Sequence, residues 1–369
     1  MKKLGLRSVA RKIVDIYPSV TPALAAGQRL GHQISTALAT LSPDSIRARP
    51  EKITIAITAN CNLRCIGCRY GRDFMPGEQL SLAMVQGVLS DAQAVGVETV
   101  RLYGGEPLLH KELPQMVRHA DYLGLKTYVT TNGILLDRKI DELYDAGLRA
   151  LSIGFYGTED AYDLYVQRPS HFEKLRNSLR YVRQRYGSDI QLQLNYLVMK
   201  PTVSQAALQD AWEFAETFDM SFHTDLIHYS LPYFTEGPDR MLQFSEADRP
   251  AVEAMTDALV SLKKSNPGRM SDSIATLRST TDWLLQGPDM KVPCDAGKLL
   301  WVGADGSVQL CYVTFPLGNL HKQSLRDMVL TKQHHDAARD AFMLKCPNCH
   351  CERDCRITKH APSFTHYSG

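Results

Sequence analysis

Ile53-Thr-Ile-Ala-Ile-Thr-Ala-Asn-Cys61-Asn-Leu-Arg-Cys65-Ile-Gly-Cys68 decides how this chain is read. Ile53, Ile55 and Ile57 alternate with Thr54, Ala56 and Thr58, the period of a strand. The strand runs straight into Cys61, Cys65 and Cys68, a C-x3-C-x2-C triplet on one loop. Three thiolates so placed can hold three corners of a four-iron cluster and leave the fourth iron open to an outside molecule. A zinc knuckle is the plainer reading, but zinc wants a fourth Cys or His nearby. None lies between Cys68 and His110.

Working outward, short β-like runs alternate with helical ones. Strands are expected at 53–58, 98–103, 126–130, 149–155, 190–198 and 220–227, with helices near 80–95, 112–123, 137–146, 171–186 and 203–217. Helices of that length between strands require parallel crossovers, hence an α/β sheet with helices outside. In such folds the working groups gather where strands end. Tyr103-Gly104-Gly105-Glu106-Pro107 ends the second strand and Thr130-Thr131-Asn132-Gly133 the third. Glycines let a backbone approach a ligand closely.

The triplet, its place after the first strand and the Gly-Gly-Glu-Pro turn together resemble the radical SAM superfamily. The resemblance implies a partial (β/α)6 barrel over residues 51–228. It implies that the open iron of a [4Fe-4S] cluster chelates S-adenosylmethionine, which reductive cleavage turns into a 5′-deoxyadenosyl radical. Gly104, Gly105, Glu106 and Pro107 then correspond to the motif receiving the methionine amino group, with the Glu106 carboxylate beside the ammonium. Thr130, Thr131 and Asn132 correspond to the next cofactor-contacting turn, and Ser152 and Asn195 to positions contacting ribose or carboxylate. The aromatic residue usual before the third cysteine is Gly67 here, so Tyr70 or Phe74 is expected to supply the stacking face for adenine. An electron donor such as flavodoxin or ferredoxin is implied.

Six further cysteines fall at 294–355. Cys294 precedes a hairpin-like passage, Lys298–Val302, the turn Gly303-Ala-Asp-Gly306, and Ser307–Cys311. Cys346-Pro-Asn-Cys349-His-Cys351-Glu-Arg-Asp-Cys355 follows. A zinc ribbon also favours a hairpin with C-x2-C. The segment Gly318-Asn-Leu-His-Lys-Gln-Ser-Leu325 between the blocks resembles that of SPASM and Twitch domains, which implies an auxiliary [4Fe-4S] cluster over 291–369. The terminal block has C-x2-C-x1-C-x3-C spacing, unlike the full SPASM pattern. One auxiliary cluster is expected, held by Cys294, Cys311 and two of Cys346, Cys349, Cys351 and Cys355, with His350 and His360 as possible fillers of an incomplete set.

Nine cysteines clustered in two groups suit metal ligation in a reduced, cytoplasmic setting better than disulfides. A net charge of +2 in 369 residues implies no general attraction to nucleic acid. No apolar run is long enough to span a bilayer. The first fifty residues carry eight Lys or Arg against Asp15 and Asp44. There Leu6, Val9, Ile13 and Ile16 trace an amphipathic helix opposite Lys3, Arg7 and Arg11. Packing on its own domain is the favoured reading of that helix, and contact with an anionic membrane the other. A second helical stretch, Pro22 to Leu41, completes an N-terminal extension over 1–50. Residues 229–290 read as a helical connection and substrate lid.

At the end of the sixth strand stand His223, Asp225, His228 and Tyr229. With Arg168 they are the candidate substrate-side groups, His and Asp being suited to the proton that accompanies oxidation. The resemblance admits two substrate classes. A peptide modified oxidatively, by crosslink or thioether formation in natural-product maturation, is favoured, with the auxiliary cluster as electron acceptor. Dehydrogenation, epimerisation or rearrangement of a sugar or aminocyclitol is the alternative. A non-enzymatic metal-binding protein is the third reading.

Overall fold

The computed structural model describes residues 21–70, 72–228, 241–312 and 314–369. Six parallel strands wind in chain order: β1 Lys52–Thr58, β2 Thr99–Gly104, β3 Lys126–Thr131, β4 Ala150–Phe155, β5 Gln191–Val198 and β6 Ser221–Leu226. Each neighbour pair is joined through a helical crossover, giving the partial barrel of the expected α/β class. The two faces of β1 are chemically distinct. Ile53, Ile55 and Ile57 are sealed in the main core under the helices, whereas Ala56 joins an inner cluster with Ala59, Tyr70, Tyr103, Trp301 and Ala304. The inward row is polar further round: Thr54 stands opposite Arg101, Arg101 opposite Tyr128, Thr130 opposite Ser152 and Asn195 opposite His223.

Helices start where local chemistry provides a cap. Ser81 accepts from Met84 N ahead of Leu82–Ala94, and Ser204 accepts from Ala207 N ahead of Gln205–Thr217. The helix Glu159–Val166 is absent from the sequence expectation. Its eight residues bury Tyr162, Tyr165 and Val166, too short a run for a helical period to show.

Three more strands extend the sheet past β1: β7 Leu299–Val302, β8 Ser307–Gln309 and β9 Pro316–Asn319. β7 runs parallel to β1, Lys52 opposite Leu299 through Ile55 opposite Val302, and β7–β8–β9 then fold back antiparallel. All four residues of β7 are buried, as a strand covered on both faces requires. At the far edge, residues 269–271 shield β6: Phe222 N donates to Arg269 O at 2.8 Å. The connection holds helices Arg249–Ser265, Ile274–Arg278 and Thr280–Gln286, with Ser279 separating the last two.

The helix Thr21–Leu41 rests on the C-terminal segment through Gln33 Nε2, which donates to Thr358 O at 3.1 Å, and through Arg29 over the Phe364 ring. The amphipathic stretch Leu6–Ile16 lies outside the described residues. Among the described residues no helix is long and apolar enough to cross a membrane.

Candidate cofactor sites and the barrel interior

The loop after β1 is held from two sides. Gly105 N donates to Thr58 O at 2.8 Å and Glu106 N to Asn60 O at 2.7 Å, tying the end of β2 to the loop's start. Ile66 N donates to Tyr165 O at 2.9 Å and Arg64 N to Val166 O at 3.2 Å, so the unexpected helix Glu159–Val166 fastens its middle. Cys61, Cys65 and Cys68 are thus presented together, each partly buried. Burial pushes the Cys61 thiol up to about 12 and Cys65 well above its ordinary value, with the neighbouring sulfurs adding to both. A bound cation would favour the deprotonated sulfurs against that burial. Among the described residues no group of His, Cys, Asp and Glu side chains is arranged to hold a single metal ion.

Gly104 adopts φ +150°, and a Cβ there would meet Thr58 O at 2.1 Å; at Gly105 it would meet Asn60 O at 2.3 Å. The glycine pair therefore makes room for the backbone of the cysteine loop. Glu106 is fully buried. Its Oε1 accepts from Leu108 N at 2.9 Å and Thr131 Oγ1 at 2.6 Å, and its Oε2 from Asn132 N at 2.8 Å. Burial pushes its carboxyl up to about 7 against those three bonds. The carboxylate expected beside an ammonium also braces the second and third turns, with about one acceptor position left over. Pro107, buried next to it, starts a single 3-10 turn. Asn132 Nδ2 donates to Asn62 Oδ1 at 2.8 Å, which carries the brace on to the cysteine loop. Asn62 was missed in the sequence, since an Asn between cysteines has no distinguishing pattern.

Ser152 and Asn195 meet: Asn195 Nδ2 donates to Ser152 Oγ at 2.6 Å. Asn195 Oδ1 is buried with no hydrogen-bond partner among the described residues. That orphaned acceptor fits a hydroxyl or ammonium of a bound cofactor. Thr130 instead turns inward and accepts from Arg101 Nε at 2.8 Å. Tyr70 packs edge-on to Phe74 at 5.0 Å and Tyr103 at 6.2 Å, and is buried, while Phe74 stays half-buried.

At the end of β6, His223 Nδ1 lies 3.1 Å from Asp272 and its Nε2 3.6 Å from Asp225. Burial alone would lower the imidazole, but Asp272 and Asp225 raise it to about 10. Burial would raise Asp225, yet His223 and then Arg101 hold it well below the usual carboxylate range. At neutral pH His223 is a cation and Asp225 an anion, so His223 does not arrive as a base. The Asp225 side chain keeps 56 % of its surface open. His228 stacks on His350 at 4.0 Å, and burial holds His228 down at about 4 and His350 well below its ordinary value. Asp272 and Arg353 were not singled out in the sequence, because they arrive from distant segments. Arg353 Nη2 donates to Thr224 O at 2.6 Å and lies 3.7 Å from Asp272. Arg168, just past the helix Glu159–Val166, donates to the Gln167 carbonyl. Tyr229 lies outside the described residues.

Five of the six later thiols line one cavity: Cys294, Cys311, Cys346, Cys349 and Cys351. Arg356 organises it, donating to Asn348 Oδ1 at 3.0 Å and to Val292 O and Cys349 O. Burial pushes Cys294 up to about 12, while a hydrogen bond from Cys351, opposed by burial and aided by Arg356, holds Cys349 down to about 7. Cys355 is not on the cavity wall; Lys359, Glu352 and Lys52 are the charges around it. The donors are all sulfur and sit under a positive guanidinium, which suits an anionic cluster. His350 donates Nε2 to Leu226 O at 3.0 Å and is committed to β6. His360 Nδ1 pairs with Ser363 Oγ at 2.7 Å.

Residues 55–209 match the model of the radical SAM superfamily, and residues 294–355 that of SPASM, an iron–sulfur cluster-binding domain. A GTP 3′,8-cyclase of Chlorobaculum tepidum is 34 % identical over 129 residues, 34 % of this chain; the match spans only 39 % of that relative's length. An AdoMet-dependent heme synthase of Methanosarcina barkeri is 23 % identical over 328 residues, covering 83 % of this chain and 90 % of the relative. Among solved structures, native anSMEcpe with bound AdoMet and Cp18Cys peptide superposes with a TM-score of 0.60 at 16 % identity, over 86 % of this chain and 95 % of that one. Streptococcus suis SuiB bound to precursor peptide SuiA gives 0.60 at 14 % identity, over 82 % and 69 %. These likenesses share the fold seen here. Residues 55–209 are thus a radical SAM domain and residues 294–355 a SPASM domain, which marks the chain as a radical SAM enzyme with sites for an S-adenosylmethionine-binding four-iron cluster and an auxiliary iron–sulfur cluster.

Proposed function

We propose that this radical SAM enzyme oxidises a peptide substrate by two electrons. Cys61, Cys65 and Cys68 hold the first cluster, with Asn195 Oδ1 and the Thr131–Asn132 turn facing the cofactor. When bound, S-adenosylmethionine on its cluster supplies the hydrogen-atom acceptor and the auxiliary cluster a one-electron acceptor. The substrate then loses one hydrogen atom, one electron and one proton. The observation that carries the reading is the ionised yet open Asp225: His223 keeps it a weak base, so it serves as a fixed negative charge beside the positive charge that develops on the substrate as the electron leaves, and the proton passes to water. His350 and Arg353 tie the terminal cysteine segment to Leu226 and Thr224 of β6, so the auxiliary site is anchored beside the barrel interior. The sheet is open, β6 and β9 forming its two edges, with residues 269–271 lying along β6. The two solved structures of like fold carry a Cp18Cys peptide and a precursor peptide. Small-molecule oxidation is the second reading, favoured by the heme synthase that matches nearly end to end.

The test offers anaerobically reconstituted enzyme, with reductant and S-adenosylmethionine, the peptide fraction and the small-metabolite fraction of its host separately. Release of 5′-deoxyadenosine is expected to rise with the peptide fraction, with one peptide losing two hydrogens for each molecule released. A response confined to the metabolite fraction would hand the enzyme to the second reading.

The auxiliary ligands are four of the five cavity thiols, Cys294 and Cys311 among them, and Cys355 is spare. Cys355→Ala is expected to keep the full iron content, about eight per chain in two four-iron clusters, whereas Cys311→Ala loses about four. Iron analysis decides it; equal losses in both variants would put Cys355 among the ligands.

A further inference from the structure

Arg101 is a cation in the barrel interior that neither cofactor site uses. It sits in mid-strand on β2, between Thr54 of β1 and Tyr128 of β3. Its Nε donates to Thr130 Oγ1 at 2.8 Å, its Nη1 donates to the Tyr312 hydroxyl at 3.3 Å, and its guanidinium carbon lies 4.9 Å from the centre of the Tyr103 ring. All three partners are neutral. A guanidinium carries five N–H donors, and these bonds take two of them. Three contacts from three elements fix the plane of the group, so its remaining donors are oriented in advance.

The nearby carboxylates are engaged elsewhere. Asp225 is a carboxylate whose field reaches Arg101, but no ion pair within 4.0 Å joins them; Asp225 lies 3.6 Å from His223 instead. His223 and Arg353 in turn face Asp272. Asp225 and Asp272 are thus paired with His223 and Arg353, and neither carboxylate is within ion-pair distance of Arg101. A desolvated cation held away from any anion is costly unless a ligand completes it. The inward faces of β1 to β6 present hydroxyls, amides and tyrosines around it, a lining for a polar ligand.

We propose that Arg101 binds a carboxylate of the substrate and so fixes which carbon faces the cofactor. This rests on the peptide reading for its substrate class: an Asp or Glu side chain, or a C-terminal carboxylate. Charge-assisted fork geometry selects a carboxylate over its neutral amide isostere.

The experiment uses immobilised holoenzyme loaded with S-adenosylmethionine and pools of random N-acetylated heptapeptides, one pool C-amidated and one with free C-termini. Bound peptides are sequenced. In the amidated pool Asp and Glu are expected to be enriched about tenfold over Asn and Gln; enrichment of the free-acid pool alone would identify the C-terminal carboxylate as the ligand. Arg101→Gln, with iron content and circular dichroism matching the unaltered enzyme, is expected to abolish the preference. Tyr312→Phe keeps the guanidinium but loosens its hold, and is expected to weaken the preference only about twofold; it stands in should Arg101→Gln fail to fold. A parallel arm compares glucuronate with glucose by saturation-transfer NMR. Discrimination there without peptide enrichment would keep the anion site and defeat the peptide reading. No acid preference in any arm, or a preference that survives Arg101→Gln, would overturn the proposal.

Discussion

Alanine at Cys61, Cys65 and Cys68 together is expected to remove about half of the iron from the reconstituted chain and every trace of S-adenosylmethionine cleavage. The three sulfurs are the only cysteines at the end of β1, and the next lies at 294. The five later cavity thiols form a separate set behind β7 and keep their own iron. Iron analysis and chromatography of 5′-deoxyadenosine measure the two halves of this prediction independently. Continued cleavage by the triple variant would mean that the cofactor binds at the other metal site, and the reading of the β1 loop would fall.

Gly105→Val should be nearly as severe. A Cβ at this position overlaps the carbonyl oxygens of Asn60 and Ala59, at 2.3 and 2.6 Å, backbone atoms that cannot swing aside as a side chain can. Relief requires the loop ahead of Cys61 to move, and overpacking of this kind costs roughly 1–3 kcal/mol or more. The expected signature is joint loss of cluster absorbance from the first site and of S-adenosylmethionine binding. Glu106→Gln makes the useful comparison: its one amide oxygen can keep either the Leu108 and Thr131 donors or the Asn132 donor, and its NH2 faces the other. It should weaken cofactor binding while the cluster still assembles. Full cluster occupancy in Gly105→Val, with only cofactor affinity reduced, would show that the glycines face the cofactor and not the loop.

Much of this was legible in the sequence, for reasons that differ from part to part. The six parallel strands showed through because each carries a period-two or β-branched run bounded by helical patterns, and Ile53-Thr-Ile-Ala-Ile57 is as clear a case as a strand offers. The cysteines stood out because thiols bunched in two groups are rare except around metals. What stayed hidden were relations between distant segments. Nothing local distinguishes Glu106 facing an ammonium from Glu106 accepting from Thr131 and Asn132, since the turn that supplies those donors is a strand away. Asp272 is an ordinary residue between serines until Thr224 and His223 are brought against it. Cys355 has the same spacing logic as its neighbours, and only its place on the helix Arg353–Lys359, among the charges of Lys359, Glu352 and Lys52, distinguishes it from the cavity thiols. Leu299-Leu-Trp-Val302 reads equally well as a hairpin arm on its own or as a strand added to the barrel.

That last pairing limits how far the enzyme can be taken apart. With β7 in register beside it, β1 has a hydrogen-bonding neighbour on either side, β2 and β7. The strand that carries the cysteine loop is therefore interior to a sheet contributed by both iron-binding regions. Cutting the chain ahead of β7 would leave β1 as a bare edge, a template for misassembly with other chains. The two regions should consequently melt as one cooperative unit, with amides of β1 and β7 exchanging together with solvent. Grafting a foreign auxiliary region onto this barrel would succeed only where its first strand reproduces the Lys52–Leu299 alignment. The metal-binding halves are separable as sequence motifs and inseparable as a folding unit.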